Sequence, residues 1–288
     1  MKARLDCYPC FLTQALTTAR YATDDEALHL RVLQEVSRKV STLEPNATPA
    51  ELSMVAYESV EKVLGIADPY YEQKREHNKM ALDLFPELKK LVGESDNPLH
   101  TAARLSAGGN VIDLGIGGTN VDVEAMLAGK LLVDFAVDDF DRFTDVLDGA
   151  EYILYCGDNA GEIVFDRLLV EELAKTTKVY FAVKSGPIIN DALFEDAIEV
   201  GMDACAEIIT TGSKYIGAPL KYCSQEFLDL FHSSRVIISK GQGNFETLSG
   251  EPGNIFFILK AKCPCVAEEL GIEFGECVFM DHERAKRS

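Results

Sequence analysis

The sequence predicts an α/β protein that has a mostly parallel sheet with flanking helices, preceded by an all-helical N-terminal domain. From Met1 to about Arg104, apolar residues recur at spacings of three and four, which is typical of helices that bury one face. Beyond Ser106, short β-branched runs end in glycine-rich turns and are separated by helix-length segments. This alternation favours βαβ units with right-handed crossovers. We therefore predict a helical domain over residues 1–104 and an α/β domain over residues 105–288.

The N-terminal region predicts a series of amphipathic helices. The first has one apolar face, formed by Tyr8, Phe11, Leu12, Ala15, Leu16 and Ala19. Thr48 and Glu51 form a capping box that begins a later helix, running towards Leu64. The segment DPYYEQKREHNKMALDL predicts a further, charged helix.

The C-terminal region contains short apolar runs with the length and composition of strands. The predicted strands are Asn110–Leu114, Leu131–Ala136, Tyr152–Tyr155, Lys178–Val183, Glu207–Thr211, Arg235–Ser239 and Ile255–Leu259.

Composition excludes several classes of protein. The chain has 288 residues, 47% of them apolar, which is enough to bury a sizeable core. Its net charge of −19 repels nucleic acid, and an anionic substrate needs a local metal or lysine to bind. The opening segment does not have the pattern of a signal peptide, and charged residues interrupt every apolar run before the roughly 18 residues of a membrane helix. We expect a cytoplasmic protein, and the oligomeric state stays open.

One stretch, EYILYCGDNAGEIVFD at residues 151–166, has two interpretations. An apolar strand leads into a turn that contains Asp158 and Asn159, and oxygen ligands of this kind suit Mg²⁺ or Mn²⁺. Alternatively, Asn159 and Glu162 form a capping box for the helix that follows.

Polar turns follow four of the predicted strands, and parallel strands bring their carboxyl ends to one edge of the sheet. These turns supply Asp158, Asn159, Glu162, Lys184, Asn190, Asp191, Gly212, Ser213, Lys240, Gly241 and Asn244. Two carboxylates and an amide oxygen can hold one divalent cation, while lysines and backbone N–H groups can bind a phosphate. A metal-activated water with Glu162 as proton acceptor would then support phosphoryl transfer to water. Taken singly, Asn190 or Asp191 could instead cap a helix, and Lys184 could be a solvated residue.

A different signal lies upstream, in VIDLGIGGTN at residues 111–120. A strand, a glycine-rich turn and Asp134 at the end of the next strand have the layout of a Rossmann-type nucleotide site. The Gly115–Gly118 turn looks like the first motif of S-adenosylmethionine-dependent methyltransferases, although Asn120 occupies the third glycine position. Asn110 and Asp113, near this turn, are candidates for contact with substrate.

With these residues in view, the chain resembles the damage-control phosphatase family, formerly catalogued as domain of unknown function 89, and its prokaryotic branch in particular. The resemblance rests on GDNAGEIVFD, VKSGPIINDA, TTGSKYIG and SKGQGNFETL, supported by CYPC, DPYYEQKREHN and GNVIDLG. It implies a helical N-terminal region, a Rossmann-like core, and hydrolysis of sugar phosphates or damaged cofactor intermediates with Mn²⁺, Ni²⁺, Co²⁺ or Mg²⁺.

The resemblance also implies roles for individual residues. It makes Asp158, Asn159 and Asp191 the metal ligands, and it places Glu162 and Lys240 beside the transferred phosphoryl group. The arginine-containing substrate motif of the eukaryotic branch has no clear counterpart here, so the substrate preference of that branch does not carry over.

Eight cysteines are many for a cytosolic chain. Cys7 and Cys10 form one pair and Cys263 and Cys265 another; together they could hold Zn²⁺ or an iron–sulfur cluster if the first helix docks on the core. They could equally be redox thiols. A non-enzymatic metal or redox sensor is therefore a third hypothesis, beside the phosphatase and the methyltransferase.

Overall fold

A computed structural model describes residues 1–40, 46–109 and 132–285 of the chain. Its N-terminal part is helical, as the sequence predicts. The helices are α1 (Cys7–Ala22), α2 (Glu26–Val40), α3 (Pro49–Leu64), α4 (Tyr71–Glu94) and α5 (Pro98–Gly109). The capping box of α3 is confirmed: Thr48 Oγ1 accepts from the Glu51 backbone N–H at 3.2 Å, and Glu51 Oε2 accepts from the Thr48 N–H at 2.8 Å. None of the helices in these ranges is long and apolar enough to cross a membrane.

A seven-stranded sheet forms the centre of the rest of the chain. Its strands are β1 (Phe135–Asp138), β2 (Tyr152–Cys156), β3 (Lys178–Val183), β4 (Glu207–Thr210), β5 (Val236–Lys240), β6 (Ile255–Lys260) and β7 (Cys277–Asp281). The helices after them are α6 (Phe140–Leu147), α7 (Glu162–Leu173), α8 (Phe194–Glu199), α9 (Gln225–Ser233), α10 (Gln242–Leu248), α11 (Pro264–Leu270) and α12 (His282–Ala285).

The spatial order of the strands is β1-β7-β6-β5-β2-β3-β4. Every neighbouring pair is parallel except β6 and β7, so the mostly parallel α/β architecture is confirmed. The sequence prediction missed β7. It also placed the first described strand too early, because Asp134 precedes β1 and its exposed carboxylate pairs with Arg104 at 2.6 Å. The predicted strand Asn110–Leu114 lies outside the described residues.

The sheet buries both of its faces. On one face, α4, α5 and α7 pack against it in a cluster that includes Leu88, Leu105 and Phe165. On the other face, α9, α10 and α11 do the same, with Phe227 and Phe245 among the buried residues. Helices α1 to α3 have a core of their own. The domain boundary at residue 104 stays a prediction, but α4 and α5 share their core with the sheet.

The order of the strands also determines where a site can form. The chain passes from β2 outward to β3 and β4, whereas β5 lies on the other side of β2. The carboxyl ends of β2 and β5 therefore flank the crevice at which an open α/β sheet binds its ligands.

Candidate active site

The turn after β2 brings three acidic or amide side chains together. Its conformation differs from the predicted capping box, because the residue that caps α7 is Gly161, which has φ 78° and provides no side-chain cap. The Asn159 amide nitrogen instead donates to Asp158 Oδ2 at 3.1 Å and to Glu162 Oε2 at 3.3 Å. The amide oxygen of Asn159 takes no part in these contacts.

The turn after β3 is joined directly to this one. Asn159 and Asp191 form an isolated antiparallel bridge. The Ala160 N–H donates to the Asn190 carbonyl and the Ala192 N–H donates to the Asp158 carbonyl, both at 2.8 Å. Asp158, Asn159 and Asp191 therefore lie side by side although they come from two strand ends. Since α8 begins only at Phe194, neither Asn190 nor Asp191 caps it.

Of the acidic groups at this junction, Glu162 and Asp191 are buried and Asp158 is half-buried, and they repel one another. Burial, together with the charges of Glu162 and Asp191, raises the pKa of Asp158 well above its usual range. Burial raises the pKa of Asp191 to about 6, and Lys184 opposes that rise. Lys184 Nζ lies 3.6 Å from Asp191 Oδ2, which is an ion pair but too long for a hydrogen bond. Asp191 Oδ2 has no hydrogen-bond partner among the described residues.

This donor set fits a divalent cation with hard character. Two carboxylates and one amide oxygen leave several coordination positions for water, which is how Mg²⁺ and Mn²⁺ are commonly bound. A cation would also compensate the mutual repulsion of the carboxylates and give the buried Asp191 Oδ2 a partner. In the part of the chain that the structure describes, no group of three or more His, Cys, Asp or Glu residues is arranged to hold a metal. The candidate ligands are the two carboxylates of Asp158 and Asp191 and the amide oxygen of Asn159, so they do not form a group of this kind.

Lys240 lies behind Glu162 at the end of β5 and is fully buried. Its ammonium group donates to Glu162 Oε1 at 2.8 Å, to Asp166 Oδ1 at 2.6 Å and to the Ser106 carbonyl at 3.2 Å. Burial opposes its charge, but the Asp166 and Glu162 carboxylates outweigh that effect and raise the pKa of Lys240. These three acceptors use all three N–H donors of the ammonium group.

Sequence reasoning missed Asp166, which is completely buried beside Lys240. Asp166 Oδ1 also accepts from the Ser106 hydroxyl at 2.6 Å. Burial raises the pKa of the Asp166 carboxyl, and Lys240 partly opposes the rise. The missed signal is its position: Asp166 is four residues after Glu162, so both point from the same face of α7.

Gly241 allows the turn after β5 to touch the carboxylate of Asp158. Its backbone has φ 80° and ψ 164°, a conformation that is essentially restricted to glycine. A Cβ atom at this position would lie 1.8 Å from Asp158 Oδ2. No residue with a side chain fits here unless Asp158 moves.

The structure describes most of the other predicted substrate-binding residues. Lys184 is buried, so the solvated alternative for it is wrong, and its ammonium group donates to the Gly217 carbonyl. Asn244 donates to the carbonyls of Gly157 at 3.1 Å and Lys240 at 2.8 Å, which ties the turns after β2 and β5 together. In the turn after β4, Gly212 has φ 72° and Ser213 Oγ accepts from the Tyr215 N–H at 3.1 Å. Asn110, Asp113 and the Gly115–Gly118 turn lie outside the described residues.

The two cysteine pairs come near each other where α1 meets α11. Burial is the main cause that raises the pKa of all four thiols, and the charges of Cys10 and Cys263 contribute to the rise for Cys7. The Cys265 thiol is close enough to Cys7 for their side chains to interact. Their arrangement is not that of a formed metal site in the described residues, so metal binding at the four cysteines stays a prediction.

Comparisons with known proteins cover nearly the whole chain. The sequence model of a family described as the damage-control phosphatase ARMT1-like domain matches residues 3–278. A damage-control phosphatase of Pyrococcus horikoshii is 37% identical over 284 residues, which cover 97% of this chain and 98% of the relative. One of Archaeoglobus fulgidus is 34% identical over 286 residues, covering 96% and 98%. A crystal structure of a DUF89 family protein from Pyrococcus horikoshii superposes with a TM-score of 0.91 at 36% identity, covering 98% of this chain and 99% of that one.

Proposed function

Because this chain belongs to the damage-control phosphatase family, we propose that it hydrolyses phosphate esters of small metabolites with a divalent cation held by Asp158, Asn159 and Asp191. The observation that carries this proposal is the bridge between Asn159 and Asp191, which lies beside the buried carboxylate of Asp191, the half-buried carboxylate of Asp158 and the amide of Asn159. The substrate class we propose is sugar phosphates or damaged cofactor intermediates, and the metals are Mn²⁺, Ni²⁺, Co²⁺ or Mg²⁺.

When bound, the cation supplies positive charge to the phosphoryl oxygens and lowers the pKa of water. The protein supplies the rest of the site. Lys184 lies beside Asp191 with its ammonium group buried, so it is placed to neutralise a phosphoryl oxygen that the net charge of −19 would otherwise repel. Because Gly241 has no side chain, the Asp158 carboxylate can lie directly against the turn after β5.

Glu162 is the proton acceptor in this proposal. Lys240 holds its Oε1 atom, and the Asn159 amide nitrogen contacts its Oε2 atom, so the orientation of the carboxylate is fixed from both sides. The sequence resemblance placed Lys240 beside the phosphoryl group. We propose instead that Lys240 orients Glu162, because its three N–H donors already have acceptors.

The two other hypotheses have less support. The methyltransferase hypothesis depends on the Gly115–Gly118 turn, which lies outside the described residues, and the family membership favours a phosphatase. The cysteine-based sensor has no formed metal site among the described residues to support it.

The test is a panel of sugar phosphates, phosphorylated cofactor intermediates and one generic phosphate ester, assayed with each divalent metal after chelation. Asp158→Asn and Asp191→Asn should each lower kcat by roughly 100-fold or more, because each removes a charged ligand while keeping the side-chain shape. Asp203→Asn, which changes an exposed acid away from the turns, is the matched control and should keep full activity.

Circular dichroism and the unfolding temperature show whether the variants keep the fold. If hydrolysis survives thorough chelation and both substitutions, the proposed metal site is wrong. If no phosphate ester is hydrolysed with any of the metals, the proposed function itself is wrong.

A further inference from the structure

One face of α4 lies against the end of the turn that carries Asp158 and Asn159 and against α8, which follows the turn of Asp191, and the mechanism above does not use it. This face presents Lys74 and Asn78, which are four residues apart and therefore point the same way. Both are buried, at 2% and 0% exposure, although each is polar. Polar side chains are rarely buried without a role for their hydrogen bonds.

Asn78 contacts two segments that are far apart in the sequence. Its Oδ1 atom accepts from the Gly161 backbone N–H at 2.7 Å. Its Nδ2 atom donates to Asp196 Oδ1 at 3.1 Å and to Glu199 Oε2 at 3.0 Å. One planar amide thus connects the end of the Asp158 turn with the first and last turns of α8.

Asp196 carries this connection back towards Asp191. Its Oδ2 atom accepts from the Leu193 backbone N–H at 2.9 Å, which fixes the chain two residues after Asp191. Lys74 Nζ lies 2.8 Å from Asp68 Oδ2 and 3.8 Å from Asp196 Oδ2. The ammonium group of Lys74 therefore forms an ion pair with the same Asp196 carboxylate that accepts from Asn78.

The contact with Asn78 requires α4 to approach the turn very closely. Gly161 makes this possible: a Cβ atom on it would lie 2.8 Å from His77 Cβ, and its φ of 78° suits glycine. The end of the segment DPYYEQKREHN, His77 and Asn78, is therefore in direct contact with Gly161, the second glycine of GDNAGE.

We infer that Asn78 is a positioning residue for the reaction, because it sets the spacing between the turn of Asp158 and Asn159 and the turn of Asp191. This inference rests on the proposed function. Backbone hydrogen bonds join the tips of the two turns, and Asn78 connects the end of the first turn, and the helix α8 that follows the second, to the same helix, α4. Ligand spacing tolerates little error, so the support behind the ligands matters nearly as much as the ligands.

The amide of Asn78 makes both halves of this contact, because its oxygen accepts and its nitrogen donates. Leucine has a similar volume but neither accepts from Gly161 nor donates to Asp196. Aspartate keeps the acceptor for the Gly161 N–H but adds a third carboxylate beside Asp196 and Glu199, so it loses the donor half of the contact.

The experiment compares Asn78→Leu and Asn78→Asp with the wild-type full-length protein. Titration of Mn²⁺, followed by electron paramagnetic resonance or calorimetry, should give an affinity weakened by roughly 10- to 100-fold for Asn78→Leu. Asn78→Asp should fall between Asn78→Leu and wild type. For the phosphate ester hydrolysed by the wild type, kcat should fall while KM changes less than threefold.

Leu88→Ala is the matched control for lost stability. Leu88 lies on the same helix and is 1% exposed, but it belongs to the apolar cluster on the sheet and not to the contacts of Asn78. Its truncation should lower the unfolding temperature by at least as much as Asn78→Leu does, yet leave the Mn²⁺ affinity unchanged. A merely structural role for Asn78 predicts the same behaviour in both variants.

Hydrogen exchange gives a readout that needs neither metal nor substrate. In Asn78→Leu the Ala160 and Ala192 amides, which join the two turns, should exchange at least 10-fold faster than in Leu88→Ala. The inference is wrong if only the Gly161 amide changes, or if Asn78→Leu binds Mn²⁺ as the wild type does. If Asn78→Leu does not fold, Asn78→Asp decides by the same two criteria. Absence of hydrolysis in the wild type would overturn the proposed function. The hydrogen-exchange rates would still test whether Asn78 holds the two turns together.

Discussion

Replacing Gly241 with alanine would put a methyl group where the carboxylate of Asp158 lies. The added Cβ atom would be 1.8 Å from Asp158 Oδ2, whereas contacts of real Cβ atoms are essentially never shorter than 3.0 Å. The carboxylate or the turn must therefore move by at least about 1.2 Å, the difference between these two distances. A displacement of about 1 Å at a catalytic group costs on the order of 100-fold in rate.

The same substitution also has a backbone cost. At φ 80° and ψ 164°, alanine is strained by about 1–3 kcal/mol relative to glycine. In proteins of about 150–250 residues, a loss of 1 kcal/mol lowers the unfolding temperature by roughly 2–4 °C. The unfolding temperature of Gly241→Ala should therefore be several degrees lower than that of the wild type. Stability and activity must therefore be separated in the assay.

Gly275→Ala separates them. Gly275 also has a positive φ, 91°, but a Cβ atom there meets nothing within 4 Å. We expect both variants to lose stability, measured by thermal unfolding, while only Gly241→Ala loses Mn²⁺ affinity and at least about 100-fold in kcat. Wild-type kcat and metal affinity in folded Gly241→Ala would refute the placement of Asp158 in the site.

Two further predictions concern buried charges. Lys240→Met leaves the Glu162 and Asp166 carboxylates without their cation, so urea unfolding should show a loss of about 3–5 kcal/mol; a loss below about 1 kcal/mol would contradict the buried ion pairs. Burial raises the pKa of Glu246 to about 7 from its ordinary 4.5, so the folded state binds this proton more tightly than the unfolded state. The free energy of unfolding should fall by up to about 3 kcal/mol as pH rises from 4.5 to above 7, and Glu246→Gln should lack this decrease in urea titrations. Parallel pH dependence of the two proteins would show that Glu246 titrates normally.

Much of the site could be predicted because parallel strands share one edge. The polar turns after β2, β3, β4 and β5 are expected to meet on that rule alone. In the structure the Asn159–Asp191 bridge joins the turns after β2 and β3, and Gly241 in the turn after β5 lies against Asp158. Strand β3 was predicted at its observed bounds, since KVYFAV is a short apolar run between polar segments.

What the sequence could not provide is the depth at which each polar group lies. Lys240 follows an apolar strand, which is compatible with a lysine that faces substrate or one that pairs with buried acids. The choice depends on how closely α7 packs on the sheet, since that decides whether Asp166 reaches it. The role of Asn78 is equally invisible in sequence, because its partner Gly161 is 83 residues away and the contact exists only once α4 lies on the turn.

The capping prediction at Asn159 failed for a related reason. An Asn three residues before a Glu has the local pattern of a helix start. Here the bridge to Asp191 holds the Asn159 backbone, and the side chain turns to the neighbouring carboxylates instead. A tertiary contact has overridden the local preference.

The reversal of strand order between β2 and β5 also determines when the site can exist. β5 follows β2 by some 80 residues, and β3, β4 and α9 are formed from the chain between them. The crevice therefore closes only after this whole loop of chain has been placed, which is a slow, non-local event in folding. During refolding, the recovery of hydrolysis would therefore measure the fraction of molecules in which the whole site has formed. Far-ultraviolet circular dichroism would already detect the helices before that point.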